Sequence, residues 1–148
     1  MKKIFISILL VALTSTTCFA EEIYSIKTLH KMEIIANSPI NKTDLENAKN
    51  IMTNVYQKTA EGVKNGKGPF YAEIYDENGN FVVSSSNSVV EDNCALYHAE
   101  VNALKKAFEK YKQYDLSPQN LTIYINAEPC IMCAGALMWS GVKTIYFG

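Results

Sequence analysis

Two short runs hold the residues with the most chemistry, His98-Ala99-Glu100 and Pro129-Cys130-Ile131-Met132-Cys133. Cys-x-x-Cys puts two thiols three residues apart, and on a helix those positions share a face, so both sulfurs can reach one metal ion. Pro129 suits a first helical turn, where a missing N–H costs nothing. The free amides and positive dipole end of that turn favour thiolate over thiol. Two sulfurs and one imidazole make three protein ligands. Three ligands with a fourth place left to water is the pattern of catalytic zinc, whereas structural zinc is closed by four. A redox disulfide between Cys130 and Cys133 is the other use of the motif, although thioredoxin-like motifs bring no upstream His-x-Glu.

Residues two apart do not share a face inside a helix. His98 and Glu100 can therefore act together only at a helix start, where both side chains reach past the end. The residues from 99 to 111 read as a helix, which places the pair at such a start. Glu100 then stands beside the metal without binding it. Charge counting agrees: Zn²⁺ with two thiolates and a neutral imidazole is formally neutral, which leaves the carboxylate free to move protons.

The elements that must position these groups follow in order. Thr43-Asp44-Leu45-Glu46 is a capping box that predicts a helix from about Asp44, with Leu45, Ala48, Ile51, Met52, Val55 and Ala60 as its buried stripe. Gly68-Pro69 is a turn, 70–76 a strand, Asn78-Gly79 a hairpin signal and 81–84 the return strand. A loop over 86–96 leads to the His98 helix, whose inward positions are Val101, Leu104, Ala107 and Phe108. Beyond Ser117-Pro118 come a strand at 121–126, a helix at 130–140 and a strand at 144–147. A hairpin followed by βαβ crossovers predicts one α/β domain, a mixed sheet with helices on both faces.

The chain has 148 residues and a net charge of −1, enough for one core and without the basic footprint of a nucleic-acid binder. Lys2 and Lys3 precede an apolar run over residues 4–13, and Cys18-Phe19-Ala20 ends in small residues of the kind a signal peptidase reads. The run is too short to span a bilayer. We therefore expect a signal peptide over 1–20, an arm or short helix over 21–42 and a single domain over 43–148. The mature protein would begin at Glu21, be periplasmic or secreted, and have no membrane contact. Loss of Cys18 leaves three cysteines, an odd number that argues against a disulfide framework.

His-x-Glu followed by Pro-Cys-x-x-Cys resembles the zinc-dependent cytidine/deoxycytidylate deaminase superfamily. Over residues 51–148 the chain is most similar to guanine deaminases and then to tRNA adenosine deaminases. Gly62-Val63 and Gly68-Pro69-Phe70 resemble the guanine deaminase approach to the first strand, and Ala127-Glu128-Pro129-Cys130 carries the Glu-Pro-Cys common to both groups. The resemblance implies a three-layer α/β/α cytidine-deaminase-like fold and one Zn²⁺ held by His98, Cys130 and Cys133. It implies hydrolytic deamination of a nucleobase or nucleoside, guanine favoured, with Glu100 as general acid/base. It also implies substrate contacts from Asn87, eleven residues before His98, from Phe70, from Trp139 and from the Ala99 and Cys130 amides. Family dimers make a homodimer the expected assembly.

The chain also departs from the family pattern. Cys94-Ala95-Leu96-Tyr97 replaces the usual Asp-Pro-Thr-Ala before His98, Tyr71 replaces a glycine, and Glu73 stands where an apolar strand residue is usual. Cys94 is expected to be a small buried hydrophobe, with a thiol near the metal as the alternative. The family's fifth strand and C-terminal helix have no counterpart after Gly148, which predicts a bare sheet edge at the last strand. Three other functions stay open: tRNA adenosine deamination, cytidine or cytosine deamination, and an inactive zinc-binding domain.

Overall fold

The computed structural model describes Lys2–Ile4 and residues 42–148; the expected arm over 21–42 lies outside the described residues apart from Lys42. In chain order the elements are β1 (Lys2–Ile4), α1 (Lys42–Lys64), β2 (Tyr71–Tyr75), β3 (Phe81–Ser86), α2 (Ala99–Tyr111), β4 (Thr122–Ile125), α3 (Ile131–Trp139) and β5 (Thr144–Phe147), with a 3-10 turn at Ser117–Gln119. From α1 onward this is the predicted order. The sheet runs β1-β5-β4-β2-β3, with β4 and β5 parallel and the remaining pairs antiparallel. It is the mixed sheet expected.

Period-2 alternation splits each inner strand between two cores. Ala72, Ile74, Ile123, Ile125, Ile145 and Phe147 face α2 and α3, meeting Ala99, Ala103, Leu104, Ala107 and Leu137. Tyr124 and Tyr146, with Tyr71 and Tyr75, face α1 and meet Ala48, Met52 and Val55. The three layers are therefore α1, sheet, and α2 with α3. On the α1 side the Tyr124 and Tyr146 rings stack, with centroids 4.9 Å apart, and Tyr75 meets Tyr124 edge-on. Buried Glu73 lies in this layer too. Its carboxylate accepts from Asn54 Nδ2 (2.9 Å) on α1 and from the Tyr75 hydroxyl (2.8 Å). The unusual strand carboxylate is thus matched by two donors, as a buried charge requires.

Several expectations need correction. Helix α1 begins two residues ahead of the predicted Asp44, and Ala60 is exposed. A 23-residue helix is about 35 Å long and overruns strands of four to six residues, so its last turns have nothing to pack on. The Asn78-Gly79 hairpin itself forms as expected, joining β2 to β3. Gly79 has φ +78° while Asn78 is not left-handed, and Gly79 N–H donates to Asp76 O (3.1 Å). The Asp76 carboxylate accepts from the Asn78 and Asn80 amides at 2.9 and 2.8 Å, so the loop is a wider turn built on Asp76. The edge expected to be bare beside β5 is paired: Lys2–Ile4, from the charged start of the expected leader, forms β1 there, in register Lys2↔Phe147 to Ile4↔Ile145. An unpaired row of N–H and C=O groups is a template for any available strand.

At the opposite edge, β3 is closed by side chains. Lys110 Nζ donates to Val82 O (2.9 Å), Lys106 Nζ to Ser84 O (2.8 Å) and Asn102 Nδ2 to Ser86 O (3.1 Å). Helix residues four apart rise about 6 Å, and strand residues two apart about 6.7 Å. The two repeats match closely enough for α2 to serve three successive outward carbonyls.

Candidate metal and active site

Both metal-ligating runs begin at helix N-caps. His98 caps α2 (φ −67°, ψ 157°) and Cys130 caps α3 (φ −65°, ψ 168°), each with extended backbone. The first intrahelical bonds are Asn102 N–H to His98 O (2.9 Å) and Ala134 N–H to Cys130 O (2.8 Å). Amides just inside each helix start have no such partner, and the positive dipole ends of both helices meet at one place. Pro129 lies one residue before the cap rather than in the first turn.

His98 Nδ1 stands 3.7 Å from Cys130 Sγ and 3.6 Å from Cys133 Sγ, and the three ligand atoms all lie within 4.8 Å of one another. Zn–S bonds of about 2.3 Å and Zn–N bonds of about 2.05 Å at tetrahedral angles put N and S about 3.6 Å apart. The observed spacing therefore fits one tetrahedral zinc, with three protein ligands and one place over. Among the described residues Cys94, Cys130 and Cys133 are free, so the disulfide alternative is not formed. Burial, then the charge of Glu100, pushes the Cys133 thiol well above its ordinary range. A metal must displace that proton to bind.

Glu100 is buried in the first turn of α2, with its charge felt at Cys133, and lies outside the three-ligand group. Cys94 is also outside that group and only half-buried; its amide closes a turn on Val89 O (3.0 Å). Ala99 is fully buried at the α2 start. Asn87 and Phe70 are joined: Asn87 N–H donates to Phe70 O (3.0 Å), while Asn87 Oδ1 accepts from Val89 N–H (3.0 Å). Phe70 is exposed. Trp139 is the last residue of α3, about 12 Å along the helix from Ile131, and is 80 % exposed. The structure does not bring it to the ligands.

Two asparagines passed over by motif reading hold the surroundings in place. Asn102 Nδ2 reaches Ser88 Oγ (2.9 Å) and Tyr97 O (3.2 Å), and Ser88 N–H donates to Tyr97 O (3.0 Å). The loop before His98 is thereby closed at both ends. Asn126 accepts from Tyr71 N–H (2.8 Å) and donates to Pro69 O (2.9 Å). An asparagine inside a helix is a weak helix former, and that is the only hint of Asn102 in the sequence.

A three-layer α/β/α fold with a His-Cys-Cys cluster at two helix starts defines a zinc-binding enzyme-like domain. The cytidine and deoxycytidylate deaminase zinc-binding region matches residues 45–148, and the chain belongs to that family. A probable cytosine deaminase of Schizosaccharomyces pombe is 36% identical over 83 residues, covering 56% of this chain and 48% of its own. A tRNA-specific adenosine deaminase of Rickettsia felis is 40% identical over 81 residues, 54% of this chain and 55% of its own. The crystal structure of guanine deaminase from Bacillus subtilis superposes with a TM-score of 0.63 at 30% identity, over 74% of this chain and 64% of that one. The chain thus spans about half the length of the curated relatives it matches.

Proposed function

We propose that the protein is a zinc-dependent hydrolytic deaminase of a purine base or nucleoside, guanine first, exported after cleavage behind Ala20 and active as a homodimer. The observation that carries the activity is the convergence of His98, Cys130 and Cys133 on one tetrahedral site with buried Glu100 alongside. Zinc held there would acidify a water molecule to near neutral pH. Glu100 takes one proton from the attacking water and gives it to a ring nitrogen, then carries the second from the hydroxyl now on carbon to the departing ammonia, so the exocyclic C–N bond is exchanged for C=O. Asn87 hydrogen-bonds the base and Phe70 packs on it. The orphan amides at the α2 start, Ala99 among them, stabilise developing negative charge. Trp139, exposed at the far end of α3, adds nothing to the support for this reading.

The similarity to the Rickettsia felis enzyme favours a second reading, tRNA adenosine deamination. A net charge of −1 and the export proposed above weigh against it. Ammonia release from guanine, adenine, cytosine, their nucleosides and a tRNA separates the two. Glu100→Gln is expected to keep one zinc per chain and lose about 10²–10⁴ in turnover. A fully active Glu100→Gln protein would sink the mechanism.

A further inference from the structure

The antiparallel ladder between β2 and β4 pairs Ala72 with Ile125, so Tyr71 and Asn126 are the next pair in register. At that step the ladder changes character. Asn126 N–H reaches Tyr71 O only at 3.4 Å, whereas Tyr71 N–H goes to the Asn126 side chain, Oδ1, at 2.8 Å. Asn126 Nδ2 then donates to Pro69 O at 2.9 Å. One carboxamide therefore takes the place of a peptide where the chain leaves β4 for Cys130. Both bonds fall on the peptides flanking Phe70, and the carbonyl of Phe70 itself accepts from Asn87 N–H.

We propose that Asn126 is a positioning residue, clamping the flanks of Phe70 to the end of β4 and so fixing the wall against which the base binds relative to the metal ligand Cys130, four residues on. The clamp itself stands on geometry; its kinetic consequence rests on the purine-deaminase reading above. Asn126 touches no ligand atom of the metal group, so its removal leaves metal binding intact. It acts on Phe70, which packs on the substrate in ground and transition states alike, so its loss falls on KM rather than on kcat.

The test compares Asn126→Ala and Asn126→Asp in the full chain, with zinc content, backbone hydrogen exchange and guanine kinetics as readouts. Asn126→Ala is expected to keep one zinc and to speed exchange at the Tyr71 amide about tenfold, the loss of one hydrogen bond. The Ile123 and Ile125 amides stay protected, and KM rises by a similar factor, about tenfold, at nearly constant kcat. Asn126→Asp keeps the acceptor for Tyr71 but sets a second acceptor against Pro69 O. It should therefore retain Tyr71 protection and give an intermediate KM. Unchanged Tyr71 exchange, unchanged KM, or loss of zinc in Asn126→Ala overturns the proposal. If the unmodified protein deaminates no purine, the functional reading falls and the exchange measurement still decides the clamp.

Discussion

Gly141 follows α3 with φ +82°, and a Cβ built there would stand 2.6 Å from the backbone nitrogen and the hydroxyl of Ser117. Gly79 has nearly the same angle, φ +78°, with nothing within 4 Å. Alanine at Gly79 should cost only the left-handed backbone term, about 1 kcal/mol. At Gly141 the same term is joined by a clash with main chain that cannot swing aside, for a loss of about 2–4 kcal/mol. Urea midpoints of the two variants check the difference, and equal losses would refute it. Titration offers a second test on single side chains. Burial, then the bond to Glu73, raises the Tyr75 hydroxyl above its usual range, and burial raises Tyr71. Folded-state values above the unfolded value of about 10 mean the unfolded chain gives up these protons first. The stability they contribute is whole below about pH 10 and is lost as pH rises beyond it. Melting temperatures from pH 8 to 11 should fall, and Tyr75→Phe should flatten that fall while lowering stability at neutral pH by leaving Glu73 short of a donor. An unaltered slope in Tyr75→Phe would remove Tyr75 as its source.

Residue spacing made most of the elements legible, because hydrophobic period and turn chemistry are local. The start of α2 and the placing of His98 at it follow from the His-x-Glu spacing taken with the helical reading of 99–111, and α3 differs from expectation in Cys130 and Ser140 standing at its caps, with Pro129 ahead of it. What stayed hidden was long-range. Ala60 fits the helical stripe, yet where α1 runs out of sheet depends on strand lengths elsewhere in the fold. Asn126 and Asn102 act through partners 16 or 55 positions distant, which no local motif announces. Lys106 and Lys110 stand outside the inward positions of the α2 pattern, and the structure turns them onto the β3 edge. Replacing both with methionine keeps helix propensity but leaves the carbonyls of Val82 and Ser84 open on an edge strand. The double variant is expected to fold with near-native stability and to self-associate with rising concentration in sedimentation velocity. A variant that stays the size of the parent at all concentrations would show that the ladder does not guard this edge.

At the scale of the molecule the two sheet edges are protected unequally. The β3 edge is covered by residues that stay with the domain, whereas the β5 edge is covered by Lys2–Ile4, which the export reading assigns to a cleaved leader. Thr144, Ile145, Tyr146 and Phe147 are uncharged, strong strand formers, and all four are buried. Cleavage behind Ala20 would strip β1 from Ile145–Phe147 and leave the outer edge of β5 open, its pairing with β4 kept, without changing the metal site, whose ligands lie on α2, α3 and their caps. An unpaired, flat, apolar strand is the edge most apt to add a strand from another copy. The chain beginning at Glu21 is therefore expected to sediment as a dimer or larger species that dissociates on dilution, and the full-length chain with an uncleavable leader as a smaller one. Both should carry one zinc per chain. Export itself is read by N-terminal sequencing of the periplasmic fraction, with Glu21 expected first. A mature chain that stays monomeric at high concentration would mean that β5 finds cover within its own chain after β1 is gone.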